Sequence, residues 1–380
     1  MPKLSRRGRV PPFIVMDVLR AANERQAAGA EVIHLEVGQP GTGAPAGVLA
    51  AAREALDGHR LGYTEALGIP SLRARIARYY AERYGTHVAP GRVAVTTGSS
   101  AGFVAAFLAA FDEGDRVALA APSYPAYRNI LTALGIVPVI LDATEATRFQ
   151  PTVELVERAG PIAGLIVASP SNPTGTMLLP QELATIADYC AGAGIRLISD
   201  EIYHGITFGR PAATALDANA DAIVINSFSK YFSMTGWRIG WMIVPEDLVR
   251  PVECLAQNLY ISPPTLSQIA AEAAFECRAE LDGIVARYAR NRTLLLKELP
   301  AAGFDRLAPA DGAFYLYADV GHLTNNSADF CARMLAEIGI AATPGVDFDA
   351  ERGHRYLRFS FAGSEVDIAK AVDKLKAWRR

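Results

Sequence analysis

The sequence predicts an α/β protein with a mostly parallel β-sheet, covered by helices on both faces, and a second, smaller domain. Between about residues 92 and 244, short β-branched runs alternate with segments of helical periodicity, as expected of strands joined by crossover helices. The chain of 380 residues also exceeds the roughly 250–300 residues at which one hydrophobic core stops growing. These observations favour two domains, the larger of them α/β.

The alternating region contains six predicted strands and four predicted helices. The strands are Val93–Thr96, Arg116–Ala120, Val137–Leu141, Gly164–Ala168, Ile195–Ser199 and Ala222–Asn226. The helices are Ser99–Ala110, Tyr124–Leu134, Val153–Ala159 and Pro180–Ala191. A further strand is predicted at Ile239–Val244, antiparallel to the one before it because no helix separates the two.

The order of elements changes after residue 245. Three helices are predicted at Glu246–Asn258, Thr265–Glu276 and Arg278–Leu299. A mixture of strands and helices follows at Phe304–Arg306, Ala313–Val320, Ser327–Ile338 and Tyr356–Phe361. We therefore predict a large domain over residues 41–274 and a small α+β domain over residues 275–380, with residues 1–40 forming an N-terminal arm and part of the small domain.

Charge and hydropathy argue against nucleic-acid and membrane partners. A net charge of −3 gives no field that gathers nucleic acid. The most apolar region, residues 102–111, is far shorter than the ~20 residues that span a bilayer. The basic residues Lys3, Arg6, Arg7 and Arg9 are followed by Pro11-Pro12 where a signal peptide needs an apolar stretch, so a solvated arm is expected.

The cysteines and histidines show no metal-binding or disulfide pattern. Cys190, Cys254, Cys277 and Cys331 are scattered without a C-x-x-C pair, which predicts reduced core thiols in a cytoplasmic protein. The six histidines show no H-x-x-x-H or H-x-H spacing. We expect no metal.

Polar residues follow four of the predicted strands, at the edge where open α/β sheets bind their ligands. Thr97-Gly98-Ser99-Ser100 opens a helix whose N–H groups and dipole suit a phosphate. Lys230 follows an apolar run and lies among serines, where partial desolvation lowers the ammonium pKa and frees the amine to attack an aldehyde. Arg238 offers a second phosphate ligand. Together these residues predict a Schiff base between Lys230 and pyridoxal 5′-phosphate (PLP).

The other strand ends supply what PLP chemistry needs. Asp200 is the candidate carboxylate for the pyridine nitrogen, where it keeps the ring able to accept electrons. Asn172 and Tyr203 have donors for the phenolic oxygen, and Tyr124 offers an aromatic face to the ring. Each residue alone has a plain structural explanation, as a helix cap or a turn residue. Their co-occurrence at successive strand ends favours the functional interpretation.

The chain resembles the class I aminotransferases of the fold type I PLP-dependent enzymes over nearly its whole length. Three segments in order carry the resemblance: Ser171-Asn172-Pro173-Thr174-Gly175, Asp200-x-x-Tyr203 and Ser227-x-Ser229-Lys230-x7-Arg238. The resemblance implies a large domain with a mostly parallel seven-stranded sheet flanked by helices, plus a smaller α+β domain. It also implies transfer of an amino group between an L-amino acid and a 2-oxo acid.

The resemblance gives each cofactor residue a role. Lys230 carries the Schiff base and then moves the proton, Asp200 pairs with the pyridinium, Asn172 and Tyr203 contact the phenolic oxygen, and Tyr124 stacks on the ring. The phosphate is held by four residues, namely Ser99, Ser100, Ser227 and Arg238.

The resemblance also implies how substrate and partner subunit enter the site. Arg358 binds the substrate α-carboxylate, aided by Asn172 and the backbone of Gly38, and Tyr63 reaches across a homodimer to the neighbour's phosphate. Some relatives that prefer dicarboxylates carry a lysine near Ser100, which this chain lacks. We therefore expect uncharged or aromatic amino donors to be preferred over aspartate, unless the basic arm contributes a cation.

Two other functions remain open from the sequence. A PLP-dependent carbon–sulfur β-lyase would hold the cofactor with the same residues, and release of ammonia and pyruvate from a β-thioether without an oxo-acid acceptor would identify it. A PLP-binding transcription regulator needs an attached DNA-binding module, whereas the fewer than a hundred residues before Gly98 already resemble the enzyme family.

Overall fold

The structure is a computed structural model that describes residues 3–5 and 7–378, so Arg6 of the basic arm lies outside the described residues. Its strands are β1 Ile33–His34, β2 Val93–Thr96, β3 Arg116–Ala121, β4 Val137–Asp142, β5 Gly164–Ala168, β6 Arg196–Asp200, β7 Ile223–Ser227, β8 Gly240–Ile243, β9 Arg306–Leu307, β10 Tyr315–Asp319, β11 Ile340–Ala341, β12 Thr343–Pro344 and β13 Tyr356–Ser360. Its helices are α1 Ile14–Ala27, α2 Ala46–Gly58, α3 Pro70–Tyr84, α4 Ser99–Ala110, α5 Ala126–Leu134, α6 Val153–Arg158, α7 Pro180–Ala193, α8 Glu246–Leu259, α9 Thr265–Ala274, α10 Arg278–Glu298, α11 Ser327–Ile338 and α12 Glu365–Ala377.

The large sheet has seven strands in the order β2-β8-β7-β6-β5-β3-β4. Strand β8 is antiparallel to both of its neighbours, β2 and β7, and the remaining pairs are parallel. The carboxyl ends of the six other strands therefore meet at one edge. The predicted mostly parallel sheet and its antiparallel strand are confirmed.

Both faces of this sheet are buried, which explains its continuous apolar runs. In β7, Ile223 and Ile225 pack into one hydrophobic cluster while Val224 packs into the other, on the opposite face. Leu197 and Ile198 of β6 divide in the same way. Both strands therefore place consecutive residues in two different cores.

Helix ends follow ordinary capping rules. Helix α7 begins at Pro180, whose fixed φ suits the first helical position, and ends before Gly194 with φ +68°.

The helix predicted from Tyr124 begins instead at Ala126, after Pro125. The strand predicted at Ile195–Ser199 lies one residue later, which makes Asp200 the last strand residue rather than the first residue beyond it.

A second sheet lies in the C-terminal part, with four antiparallel strands in the order β12-β13-β10-β9. The N-terminal segment joins this part, because β1 pairs in parallel with β11 through Ile33 and Ile340. The limits of the large and small domains at residues 40 and 274 stay predictions.

The described residues also bear on cysteines, metals and membranes. Cys190 and Cys331 are buried, but Cys254 and Cys277 are only half-buried, so the expectation of four core thiols is wrong for the latter two. Across residues 3–5 and 7–378, no helix has the length and hydropathy needed to span a bilayer. Within the same residues, no three histidine, cysteine or acidic side chains are grouped as metal ligands.

Candidate active site

A cavity of about 200 Å³ lies at the carboxyl edge of the large sheet, between that sheet, α1 and the four-stranded sheet. Nine of the twelve predicted site residues line it: Gly38, Ser99, Ser100, Tyr124, Asn172, Tyr203, Lys230, Arg238 and Arg358. Asp200 lies behind the cavity wall, bonded to the lining residue Tyr127. Ser227 and Tyr63 are not among the lining residues.

Lys230 lies three residues beyond β7, and its Nζ donates a hydrogen bond to the carbonyl oxygen of Gly38. The pKa of Lys230 is lowered to about 8, chiefly by burial and also by the positive charges of Arg358 and Arg238, while Asp200 opposes the shift. Roughly one molecule in ten therefore carries the free amine at pH 7, against fewer than one in a thousand for an ordinary lysine. Lys230 is thus a nucleophile near neutral pH.

Asp200 is buried and hydrogen-bonded through both carboxylate oxygens. Oδ1 accepts from the backbone N–H of Ile202 at 3.1 Å, and Oδ2 accepts from the hydroxyl of Tyr127. Burial raises the pKa of Asp200 to about 6, while these hydrogen bonds and the charge of Lys230 lower it. The carboxyl group is therefore mostly ionised at pH 7 and suits a cationic partner.

Arg358 is 1% exposed and is held by three acceptors. Its Nη1 donates to Asn172 Oδ1 at 2.7 Å, and its Nη2 donates to Thr343 Oγ1 at 3.2 Å and to the carbonyl oxygen of Glu36. Its Nε is buried and has no hydrogen-bond partner. Two of the five N–H groups of the guanidinium are therefore free for an incoming carboxylate.

Aromatic rings fix both Arg358 and Tyr203. The guanidinium carbon of Arg358 lies 4.3 Å from the ring centre of Tyr315 and 4.8 Å from that of Phe348. The hydroxyls of Tyr203 and Tyr315 lie 2.7 Å apart. Sequence reasoning missed Tyr315, which lies in a correctly predicted strand whose side chains gave no sign of the contact. A Cβ on Gly38 would collide with the Tyr315 hydroxyl, so only glycine fits there.

The first turn of α4 and Arg238 form an anion site. Gly98 precedes the helix with φ +77°, and a Cβ there would lie 2.5 Å from Nη2 of Arg238. The absence of a side chain thus lets the guanidinium approach Ser99 and Ser100 at the positive end of the helix dipole.

Ser227 and Ser229 have different surroundings. The Ser227 hydroxyl accepts from the backbone N–H of Ser229 at 3.0 Å and donates within the buried turn to the carbonyl of Ile239 at 3.2 Å. Ser229, which the sequence reasoning did not name as a site residue, lines the cavity. A phosphate role for Ser227 stays a prediction, and Ser229 is the hydroxyl that faces the cavity.

Two predicted aromatic residues have distinct surroundings. Tyr124 lines the cavity and packs edge-on against Phe13 and Tyr127, with ring centres 5.6 Å and 5.4 Å apart. Tyr63 lies in the segment between α2 and α3 with 82% of its surface exposed. Its predicted role in a neighbouring subunit's site stays a prediction.

One wall of the cavity is apolar and comes from α1 and the residue before it. Phe13, Val15, Met16 and Leu19 line it. Sequence reasoning missed this wall, although Val15 and Leu19 have the spacing of one helical face. Among the residues that the structure describes, the lysines and arginines lining the cavity are Lys230, Arg238 and Arg358.

The donor set fits PLP. The cavity holds an amine of lowered pKa, a buried carboxylate behind it, an aromatic side chain, and an anion site built from a helix N-terminus, serines and an arginine. The bare backbone of Gly98 next to Arg238 leaves the anion site open. An aldehyde, a basic ring nitrogen and a phosphate each find a complementary group.

Comparisons with known proteins agree with this arrangement. A family model for aminotransferase class I and II matches residues 30–375. A valine–pyruvate aminotransferase of Mycobacterium tuberculosis is 53% identical over 381 residues, covering 99% of this chain and 98% of that protein. A crystal structure of an aminotransferase from the same organism superposes with a TM-score of 0.98 at 52% identity, covering 100% of this chain and 99% of the other. The aspartate aminotransferase of Thermus thermophilus with maleate gives a TM-score of 0.94 at 30% identity, covering 99% of each chain.

Proposed function

Because this chain belongs to the aminotransferase class I and II family and is a transaminase with the predicted fold, we propose that it uses PLP to move the amino group of a neutral aliphatic L-amino acid, valine foremost, to pyruvate. Members of the family use PLP. The observation that carries the substrate proposal is the apolar wall formed by Phe13, Val15, Met16 and Leu19, which lines the same cavity as Arg358. The name of the 53% identical relative supports the same donor and acceptor.

The proposed cofactor site uses the residues assembled at the sheet edge. When bound, PLP supplies an aldehyde for amines and a ring that accepts electrons from the substrate α-carbon. Lys230 would provide the amine that binds this aldehyde, and its Nζ would move the proton. Asp200 would keep the pyridine nitrogen protonated, and Asn172 and Tyr203 would donate to the phenolic oxygen. Tyr124 covers the ring, while Ser99, Ser100, Ser227 and Arg238 hold the phosphate.

Substrate orientation follows from two opposed surfaces. The free N–H groups of Arg358, helped by Asn172 and the backbone at Gly38, bind the α-carboxylate, which fixes the α-carbon near Lys230. The side chain of the donor then points to the α1 wall, where branched methyl groups replace water. Among the residues that the structure describes, the cavity lining contains no further lysine or arginine that could bind a second carboxylate of the donor. Of the arm, Arg7 pairs with Glu113 at 2.9 Å, and Lys3, Arg7 and Arg9 are not among the lining residues.

We place this reaction in a cytoplasmic homodimer with shared active sites. The half-buried and buried cysteines carry no disulfide among the described residues, as expected of a reducing compartment. In a two-fold dimer each subunit contributes the same residue to its partner. We propose that the exposed Tyr63 is this residue and that it binds the phosphate in the neighbouring subunit's site.

A donor panel tests the proposal. Purified enzyme is supplied with valine, alanine, phenylalanine or aspartate, each with pyruvate or 2-oxoglutarate as acceptor (2-oxoglutarate alone for alanine), and Lys230→Ala serves as the inactive control. We expect kcat/KM for valine with pyruvate to exceed that for aspartate by at least tenfold, about 1.4 kcal/mol in transition-state stabilisation. An advantage for aspartate contradicts the proposal. Release of ammonia and pyruvate from a β-thioether without any oxo acid indicates the lyase instead.

A further inference from the structure

We infer that Asp347 is a positioning residue for donor selectivity: its carboxylate holds the N-terminus of α1 and thereby sets how well the enzyme distinguishes a branched donor from a small one. The inference rests on the proposed preference for valine. Asp347 belongs to none of the sequence motifs described above, and it does not line the cavity.

The carboxylate of Asp347 binds the first two backbone N–H groups of α1. Oδ1 accepts from Ile14 at 3.0 Å and Oδ2 accepts from Val15 at 3.1 Å. The first N–H groups of a helix have no partner within the helix, and Phe13 at the N-cap position supplies no side-chain acceptor. A carboxylate from the C-terminal part of the chain therefore fills the role of the missing cap and is favoured by the helix dipole.

The backbone around Asp347 is held by residues that follow β3. Arg128 of α5 donates to the carbonyl oxygen of Asp347 at 2.6 Å and to that of Phe348 at 3.4 Å. The backbone N–H of Ser123 donates to the carbonyl of Phe348 at 3.1 Å. Asp347 is 1% exposed, so water does not compete for its bonds. These contacts hold the Asp347 carboxylate, and with it the start of α1, in place beside the edge of the large sheet.

The same short segment touches the carboxylate-binding arginine. Phe348 follows Asp347, and its ring lies 4.8 Å from the guanidinium carbon of Arg358. Residues 347–348 therefore contact both of the surfaces proposed to hold the donor. Phe348 packs against Arg358, and Asp347 binds the start of the helix that forms the α1 wall. The distance between those surfaces determines which side chain fits.

Loss of the carboxylate releases the first turn of α1, which carries the wall residues Val15 and Met16. A branched donor contacts this wall through two methyl groups that alanine lacks. One methylene in an apolar pocket changes the rate by roughly 10–200-fold, so a displaced wall penalises valine and leaves alanine nearly unchanged. Asp347 does not line the cavity, and its charge, which acts on Arg358, affects valine and alanine alike because both carry the α-carboxylate.

The test compares Asp347→Asn and Asp347→Ala with wild type in the half-reaction, in which PLP-loaded enzyme is mixed with excess valine or alanine and the cofactor absorbance is followed. No acceptor is required, so one signal serves both donors. Asp349→Asn is the matched control, since Asp349 is a buried carboxylate two residues away that bonds Glu351 and Arg352 rather than α1. We expect the valine-to-alanine rate-constant ratio at low donor concentration to fall about tenfold in Asp347→Ala, less in Asp347→Asn, and not in Asp349→Asn.

Hydrogen–deuterium exchange of the cofactor-free proteins gives a second readout. The amides of Ile14 and Val15 should exchange faster in both Asp347 variants and at the wild-type rate in Asp349→Asn. Equal losses for valine and alanine, or unchanged exchange at Ile14 and Val15, overturn the inference. A wild-type enzyme that takes valine no better than alanine contradicts the proposed function itself, and the exchange data then still decide whether Asp347 holds α1.

Discussion

Replacement of Arg358 by lysine tests the assignment of the carboxylate-binding group. Three N–H groups of Arg358 are committed to Asn172, Thr343 and the carbonyl of Glu36, which leaves two for the substrate. A lysine ammonium has three N–H groups for those three acceptors and the two oxygens of the substrate carboxylate. It therefore cannot satisfy both the protein and the donor.

The expected magnitude follows from this count. Two hydrogen bonds to a charged group contribute about 1.5–3 kcal/mol each, and lysine recovers part of this by its remaining charge. A net loss of about 3–4 kcal/mol corresponds to a fall of roughly 10²–10³-fold in kcat/KM. The fall should be the same for valine, alanine and aspartate, because all three carry the α-carboxylate.

Steady-state kcat/KM for these donors measures the effect, and Arg75→Lys is the control. Arg75 is 7% exposed, pairs with Glu82 and Glu276, and lies 4.5 Å from the ring centre of Phe275, but it is outside the cavity. Its replacement should leave kcat/KM within a few fold of wild type. A loss in Arg358→Lys confined to aspartate would make Arg358 the reader of the side chain and refute the assignment.

Two further predictions concern Asp200 and Tyr63. Burial raises the pKa of Asp200 from 3.8 to about 6, so its ionisation costs the folded apoprotein up to roughly 3 kcal/mol as pH rises between these values. Cofactor-free Asp200→Asn should therefore have a higher melting temperature than cofactor-free wild type at pH 7 and the same melting temperature below about pH 4. With PLP supplied, the variant should lose most transamination. A lower melting temperature of the variant at pH 7 argues against the raised pKa. For the shared site, mixing Lys230→Ala with Tyr63→Ala subunits should restore activity beyond either parent, since one site of the mixed dimer holds both intact residues. If verified mixed dimers gain nothing while Tyr63→Ala alone is impaired, Tyr63 acts within its own chain.

The sheet was predictable because its chemistry is local. Strands buried on both faces are largely apolar, and the runs at residues 164–168 and 222–225 meet that condition without reference to the rest of the fold. Parallel strands with common carboxyl ends then bring Asp200, Asn172 and Lys230 to one edge, whichever order the strands take. Sequence alone therefore predicted that these side chains meet at one edge of the sheet.

The opposite side depends on contacts between distant segments, which no local pattern shows. Val15 and Met16 line the cavity at the start of α1, which Asp347, more than 300 residues later, contacts through hydrogen bonds from Ile14 and Val15. Tyr315 becomes a site residue only because β10 lies beside the turn that carries Tyr203. The different surroundings of Ser227 and Ser229 have a simpler cause, since the strand extends to Ser227 and its hydroxyl is bonded within the buried turn.

Reduction of the purified protein with borohydride tests the central claim most directly. If Lys230 Nζ condenses with the aldehyde of PLP, hydride converts that linkage to a stable secondary amine, and peptide mass spectrometry locates the phosphopyridoxyl group. We predict a yellow protein whose colour is lost on reduction, with the group on Lys230 and no labelling at this position in Lys230→Ala. A colourless protein that stays unlabelled after incubation with PLP, or a label on another lysine, contradicts the account.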